Sequence, residues 1–152
     1  MPRINYDKSH EGLLNELVRS DKTSGPFETK AKCLTYAASY GSEFGPEKGR
    51  KPISGTKMDL RYDAFSSRDF EDFICSLAVY ATKDIKLLET NEETATERVR
   101  IFEEFANCGL ERLAAELKGE ANKTDGIALL ISKSKSQKVE EDGIDWNKIE
   151  NL

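Results

Sequence analysis

The stretch Val99-Arg100-Ile101-Phe102-Glu103-Glu104-Phe105-Ala106-Asn107-Cys108-Gly109-Leu110-Glu111-Arg112-Leu113-Ala114-Ala115-Glu116-Leu117 decides the fold. Val99, Phe102, Ala106, Leu110, Leu113 and Leu117 recur at steps of three or four, and Phe105 and Ala114 widen the stripe. That period lays them along one face of an α-helix. Thr90-x-x-Glu93 reads as a capping box at its start and Gly119 as its stop, so a long helix is expected over 92–118. Gly109 falls inside it, where glycine costs about 1 kcal/mol against alanine. A close helix crossing at Ala106, Cys108 and Gly109 is the compensation this predicts.

Upstream, Phe70, Phe73, Ile74, Leu77 and Ala81 form the stripe of a helix over 67–82, with Ser66-x-x-Asp69 as a weak capping-box variant. Ile85, Leu87 and Leu88 lead from it to the long helix. Phe27, Ala31, Leu34, Ala37, Ala38 and Tyr40 make the inner face of a helix over 27–43, with Ser24 as N-cap and Pro26 in its first turn. Leu13, Leu14, Leu17 and Val18 do the same for a helix from Asp7, its cap, to Arg19. Ile4 and Tyr6 alternate with polar residues, as do Met58, Leu60 and Tyr62, and two short strands are expected to pair. Ile127, Ala128, Leu130 and Ile131 mark a last helix over 124–133. The polar run Ser132–Lys138 then reads as a linker to a tail in which Trp146, Ile149 and Leu152 make an apolar edge. The expected fold is mainly α: a compact bundle of five helices with one short two-stranded β-ribbon. It forms a single helical domain over 3–131, followed by a polar linker and tail over 132–152.

At 152 residues the chain suits one domain, whose core can bury roughly two thirds of the surface the unfolded chain exposes. Hydrophobic residues are 38% and charged residues 34%, polar for a globular domain but too apolar for wholesale disorder. Lys and Arg number 23 against 28 Asp and Glu, a net charge of −5. That excludes a surface coated all over with phosphate-binding charge and leaves room for a local basic patch. No apolar run is long enough to span a membrane, and Met1-Pro2-Arg3-Ile4-Asn5 has no signal-peptide apolar region, so a cytoplasmic location and no membrane partner are expected.

Cys33, Cys75 and Cys108 are an odd set without C-x2-C spacing. They read as reduced thiols packed in the core rather than as disulfides or zinc ligands. His10, the only histidine, stands at a helix start, where solvent exposure is the plain expectation.

The motifs of serine hydrolases, P-loops, zinc peptidases and EF-hands are missing. Glu116-Leu117-Lys118 echoes the end of a metal-dependent nuclease motif but falls in a helix and not on a strand. Glu140, Glu141, Asp142 and Asp145 read as a charged tail. No catalytic residue, cofactor or metal is expected, and a non-enzyme is the reading.

Nucleic-acid contact has one main candidate. Lys48, Arg50, Lys51, Lys57 and Arg61 lie on a Gly-rich segment whose flexible backbone and long cationic side chains suit phosphates, though Glu47 and Asp59 dilute the charge. Lys133, Lys135 and Lys138 are a lesser one. The acidic set Glu89, Glu92, Glu93, Glu97, Glu103 and Glu104 suits a solvated helix face or a basic protein partner. The order strand, helix, helix over Arg3–Gly41 also raises a ribbon-helix-helix dimer, with Asn5 toward the bases.

Three stretches carry a family resemblance: Gly25-Pro26-Phe27-Glu28-Thr29 on through Leu34 and Tyr36-Ala37-Ala38 to Gly41; the helix from Phe70 to Ala81; and Ile101–Leu113 with Glu116-Leu117-Lys118-Gly119. Over residues 3–131 the chain resembles the small accessory proteins called DNA phosphorothioation-associated protein 4, found with bacterial systems that replace a backbone phosphate oxygen by sulfur. The resemblance implies a place in a restriction or phage-defence system and an accessory or regulatory role. It also implies partners among the restriction or modification proteins of the same system, or DNA; a second copy of the chain is a further candidate that the resemblance does not supply. Read from the residues themselves, Glu103, Glu104, Asn107, Trp146, Ile149 and Leu152 are candidate partner-binding residues; the resemblance implies nothing for the tail after Lys133. Asn107 has a second reading, as a hydrogen-bonding group for a local irregularity of its helix. The alternative function is a dimeric DNA-binding transcriptional regulator of such a gene cluster.

Overall fold

A computed structural model describes residues 3–65 and 67–141, with 134–141 described as backbone. Among the described residues there are two strands, β1 (Ile4–Asp7) and β2 (Lys57–Leu60), and five α-helices: α1 (Glu11–Leu17), α2 (Lys30–Ser42), α3 (Arg68–Thr82), α4 (Glu92–Glu116) and α5 (Lys123–Glu141). Short 3-10 turns cover Lys8–His10, Tyr62–Phe65 and Ile85–Leu88. The fold is mainly α with a short ribbon, as expected.

The two expected strands pair; the ribbon is antiparallel, with Ile4 opposite Leu60 and Tyr6 opposite Met58, while Tyr62, expected in the second strand, falls in the 3-10 turn after it. A two-stranded ribbon is marginal alone. This one is held because Ile4 and Tyr6 are buried in the common core, and α4 packs along β1.

The helix ends correct several expectations. Asn91, not Thr90, caps α4, accepting from the Thr94 N–H at 2.9 Å. Ser67 caps α3, accepting from the Phe70 N–H at 3.1 Å; Ser66 lies outside the described residues. Thr29, not Ser24, caps α2, accepting from the Lys32 N–H at 3.1 Å. The later start of α2 has a cause. Phe27 donates its N–H to the Leu17 carbonyl and accepts from Arg19 N–H, so 25–27 runs extended beside the end of α1. A Cβ on Gly25 would meet the Leu17 oxygen at 2.3 Å. Asp7 caps the 3-10 turn ahead of α1, which is correspondingly short. The stretch Ser132–Lys138, read as a linker, continues α5 as helical backbone.

The core is built around α2 packed on α4, the largest helix interface. Ala37, Ala38 and Gly41 of α2 meet Phe105, Ala106 and Gly109 of α4. Small residues let the two backbones approach as closely as Gly109 predicts. Phe65, Phe70 and Phe102 cluster on the α3 side, with centroids 4.9–5.8 Å apart. Cys33 and Cys108 are buried, and burial pushes the Cys33 thiol up to about 12. Cys75 departs from the expectation, being only half-buried.

Candidate functional site

The loop between α2 and β2 folds back over α4. Gly41, Gly45 and Gly49 let it turn tightly: a Cβ on Gly49 would lie 2.2 Å from the Gly41 carbonyl oxygen. The loop then crosses α4, and side chains one turn apart on that helix take hold of it. Asn107 Nδ2 donates to the Lys51 carbonyl at 3.0 Å and to the Pro52 carbonyl at 3.2 Å. Glu104 contributes its own carbonyl to the Lys51 N–H at 3.0 Å and its carboxylate to Arg50 at 2.9 Å. The other Glu104 oxygen receives Arg100, which also pairs with Glu97. Lys51 pairs with Glu111, and the Cys108 thiol reaches the Lys48 carbonyl at 3.6 Å.

The same helix face reaches the N-terminal segment. Glu103 accepts the Asn5 N–H at 2.6 Å. Burial pushes the Glu103 carboxyl above the usual range, and this hydrogen bond works against the shift. His10 Nε2 lies 2.8 Å from the Asn107 side-chain oxygen, so His10 is tied to α4 rather than left to solvent. One buried amide therefore joins the loop, α4 and the turn before α1. Asp7 completes the arrangement, accepting from Ser9 N–H at 3.0 Å and Gly55 N–H at 3.2 Å. These backbone donors hold its carboxyl below the usual carboxylate range.

Two sets of residues that the sequence presents as separate sites are thus one assembly. Arg50 and Lys51 of the basic loop are paired with Glu104 and Glu111 of α4. Glu104 is 7% exposed, so it does not belong to a solvated acidic face; Glu89, Glu92 and Glu93 do. Asn107 is buried and serves a neighbouring loop, whereas the sequence suggested an irregularity of its own helix. Lys48 and Lys57 are exposed. Trp146, Ile149 and Leu152 lie outside the described residues.

Arg61 sits elsewhere, at the far end of β2, 3.1 Å from Asp63. It lines a groove with Arg3, Tyr62, Ser67, Arg68 and Glu71. Arg3 and Arg68, which the sequence reading passed over, join Arg61 there. Arg3 also pairs with Asp59, and the Tyr62 hydroxyl donates to Glu71. The charges in the groove nearly balance. The signal for Arg3 was the strand register, which puts residue 3 just beyond Leu60.

A ribbon-helix-helix reader pairs its strand with the strand of a second copy. Here β1 pairs with β2 of its own chain, and Glu103 takes the Asn5 N–H. Among the described residues no three His, Cys, Asp or Glu side chains are placed to hold a metal, and no helix is long and apolar enough to cross a membrane.

These features define a small helical protein whose long central helix holds a glycine-rich loop in one position. The chain belongs to the family described as DNA sulphur modification system-associated protein 4, whose model matches residues 3–149. The match extends beyond residue 131, where the resemblance in sequence had been drawn. No curated protein and no solved structure matches the chain.

Proposed function

We propose that the protein is a non-enzymatic accessory subunit of a bacterial phosphorothioation-linked restriction or phage-defence system, acting in the cytoplasm by contact with the system's other proteins. The family supplies the association with DNA sulphur modification. The observation that supports an accessory role is the mutual engagement of Arg50, Lys51, Glu104, Asn107 and His10. Groups of the kind that elsewhere do acid–base work or bind phosphate are here occupied in holding backbone segments together. That produces a rigid body with a fixed outer surface, which suits recognition by another protein. Contact with DNA falls to the exposed cations Lys48, Lys57 and Arg61.

The test is reconstitution. The purified chain is mixed with the purified restriction and modification proteins encoded beside it and run on a sizing column. Co-elution with one of them is expected, while the chain alone with magnesium or manganese leaves phosphorothioated and unmodified plasmid intact. Cleavage by the chain alone, or separate elution from every one of these proteins, overturns the proposal.

A further inference from the structure

Along the outer side of α2 four aromatic rings form a continuous row. Phe27 and Tyr36 have centroids 5.3 Å apart, Tyr36 and Tyr40 6.3 Å, and Tyr40 and Phe44 5.3 Å. Tyr36 and Tyr40 are nearly parallel, at 16°. All four rings are partly exposed. Tyr36 and Tyr40 stand one turn apart on α2, and Phe44, in the turn just after the helix, meets Tyr40 edge-on. The row is not spent on the α2–α4 interface, which Ala37, Ala38 and Gly41 make.

Two further observations say what this row suits. First, the guanidinium of Arg112 already lies over the Phe44 ring, 3.7 Å from its centroid. One end of the row is thus occupied by a cation stacked on an aromatic face. Second, the charge around the middle of the row is negative. Burial raises the Tyr40 phenol, and the carboxylates of Glu116 and Glu43 raise it further, with only Arg112 opposing them. Anionic nucleic acid is repelled from such a place. A cation is attracted, and arginine fits better than lysine: its planar group stacks on a ring and forks onto a carboxylate at once.

We propose that the Tyr36–Tyr40–Phe44 row, with Glu116, is a docking surface for an arginine-bearing segment of a partner protein. An incoming guanidinium laid over Tyr40 repeats what Arg112 does on Phe44 and has the exposed Glu116 carboxylate beside it to pair with. This rests on the accessory reading and deepens it by naming the surface and the chemistry of the partner.

The test uses nuclear magnetic resonance on the full chain, titrated with a tri-arginine peptide, a tri-lysine peptide and a single-stranded thymidine oligonucleotide. Saturable shifts centred on Tyr36, Tyr40 and Phe44 are expected with tri-arginine, with binding several-fold weaker for tri-lysine. Tyr40→Ala is expected to weaken tri-arginine binding about threefold, the loss of one exposed cation–π contact. Glu116→Gln, at an exposed position that leaves the core alone, is expected to weaken it by a similar factor, and Glu92→Gln at the other end of α4 is expected to leave it unchanged. Shifts spread equally over Glu92 and Glu93, wild-type binding by both Tyr40→Ala and Glu116→Gln, or oligonucleotide shifts on the same row overturn the inference. Its failure is separable from that of the accessory reading. If the native partner still co-elutes with Tyr40→Ala and Glu116→Gln, this surface is wrong and the accessory reading stands. If the peptide binds the row and no system protein co-elutes, the accessory reading falls.

Discussion

Gly109 of α4 faces the backbone of Ala37 on α2 so closely that a Cβ at position 109 would lie 1.8 Å from the Ala37 carbonyl oxygen. Neither partner is a flexible side chain, so the helices themselves must separate to admit a methyl group. Gly109→Ala gains about 1 kcal/mol of helix propensity. Overpacking against backbone is expected to cost more, for a net loss of about 2 kcal/mol. Chemical denaturation measures this. A stabilised Gly109→Ala would mean that the helices do not cross here.

Glu104 is the charge the loop depends on. Its side chain is 10% exposed and that of Arg50 19%. Removing one member of a buried pair strands the other, at about 3 kcal/mol. Glu104→Gln is expected to lose close to that amount. Glu104→Gln combined with Arg50→Met is expected to lose less than the sum of the two single changes, because the stranded charge is gone. Additive losses would show that the pair is not coupled.

Asn107 holds two loop carbonyls at once. Asn107→Ala is expected to cost about 1.5 kcal/mol, moderated because water can reach the freed carbonyls. Its sharper signature is local. Trypsin should cut after Lys48 or Arg50 faster in Asn107→Ala than in wild type under native conditions. Equal cutting rates would remove Asn107 from the role given it here.

Asp7 makes stability depend on pH. Its folded carboxyl titrates below the ordinary value of 3.8, chiefly because Ser9 N–H and Gly55 N–H bond the ionised form. The stabilisation is therefore fully present above 3.8 and is lost as pH falls through the folded value. Asp7→Asn is expected to be about 1 kcal/mol less stable than wild type at neutral pH. The two should converge in acid below 3.8. A gap that stays constant with pH would assign the effect to shape instead of charge.

Much of the fold was readable because it depends on local periodicity. The α4 stripe, the alternation of Ile4 with Tyr6 and of Met58 with Leu60, and the small residues Ala106 and Gly109 that mark the crossing are each legible within a few neighbouring residues. The helix starts were less readable. Thr90 and Asn91 are both good caps, and only the backbone geometry selects Asn91. The start of α2 moved because Phe27 is taken by the backbone at the end of α1, a contact across a turn that helix signals do not register. The loop assembly was hidden for a stronger reason. Glu104 looks like one more acid in an acidic run, and its partner Arg50 stands 54 residues away. Charge pattern along a helix shows which sign a position carries. It does not show whether the counter-charge comes from solvent or from a distant loop.

The bond from Asn5 to Glu103 has one more consequence. Short ribbons with a bare outer margin invite other chains to add strands, the first step toward insoluble fibrils. Here a carboxylate from the central helix occupies an outward donor of β1, and α4 shields that margin. A neighbouring chain therefore meets a charged, capped border where it would otherwise find a template.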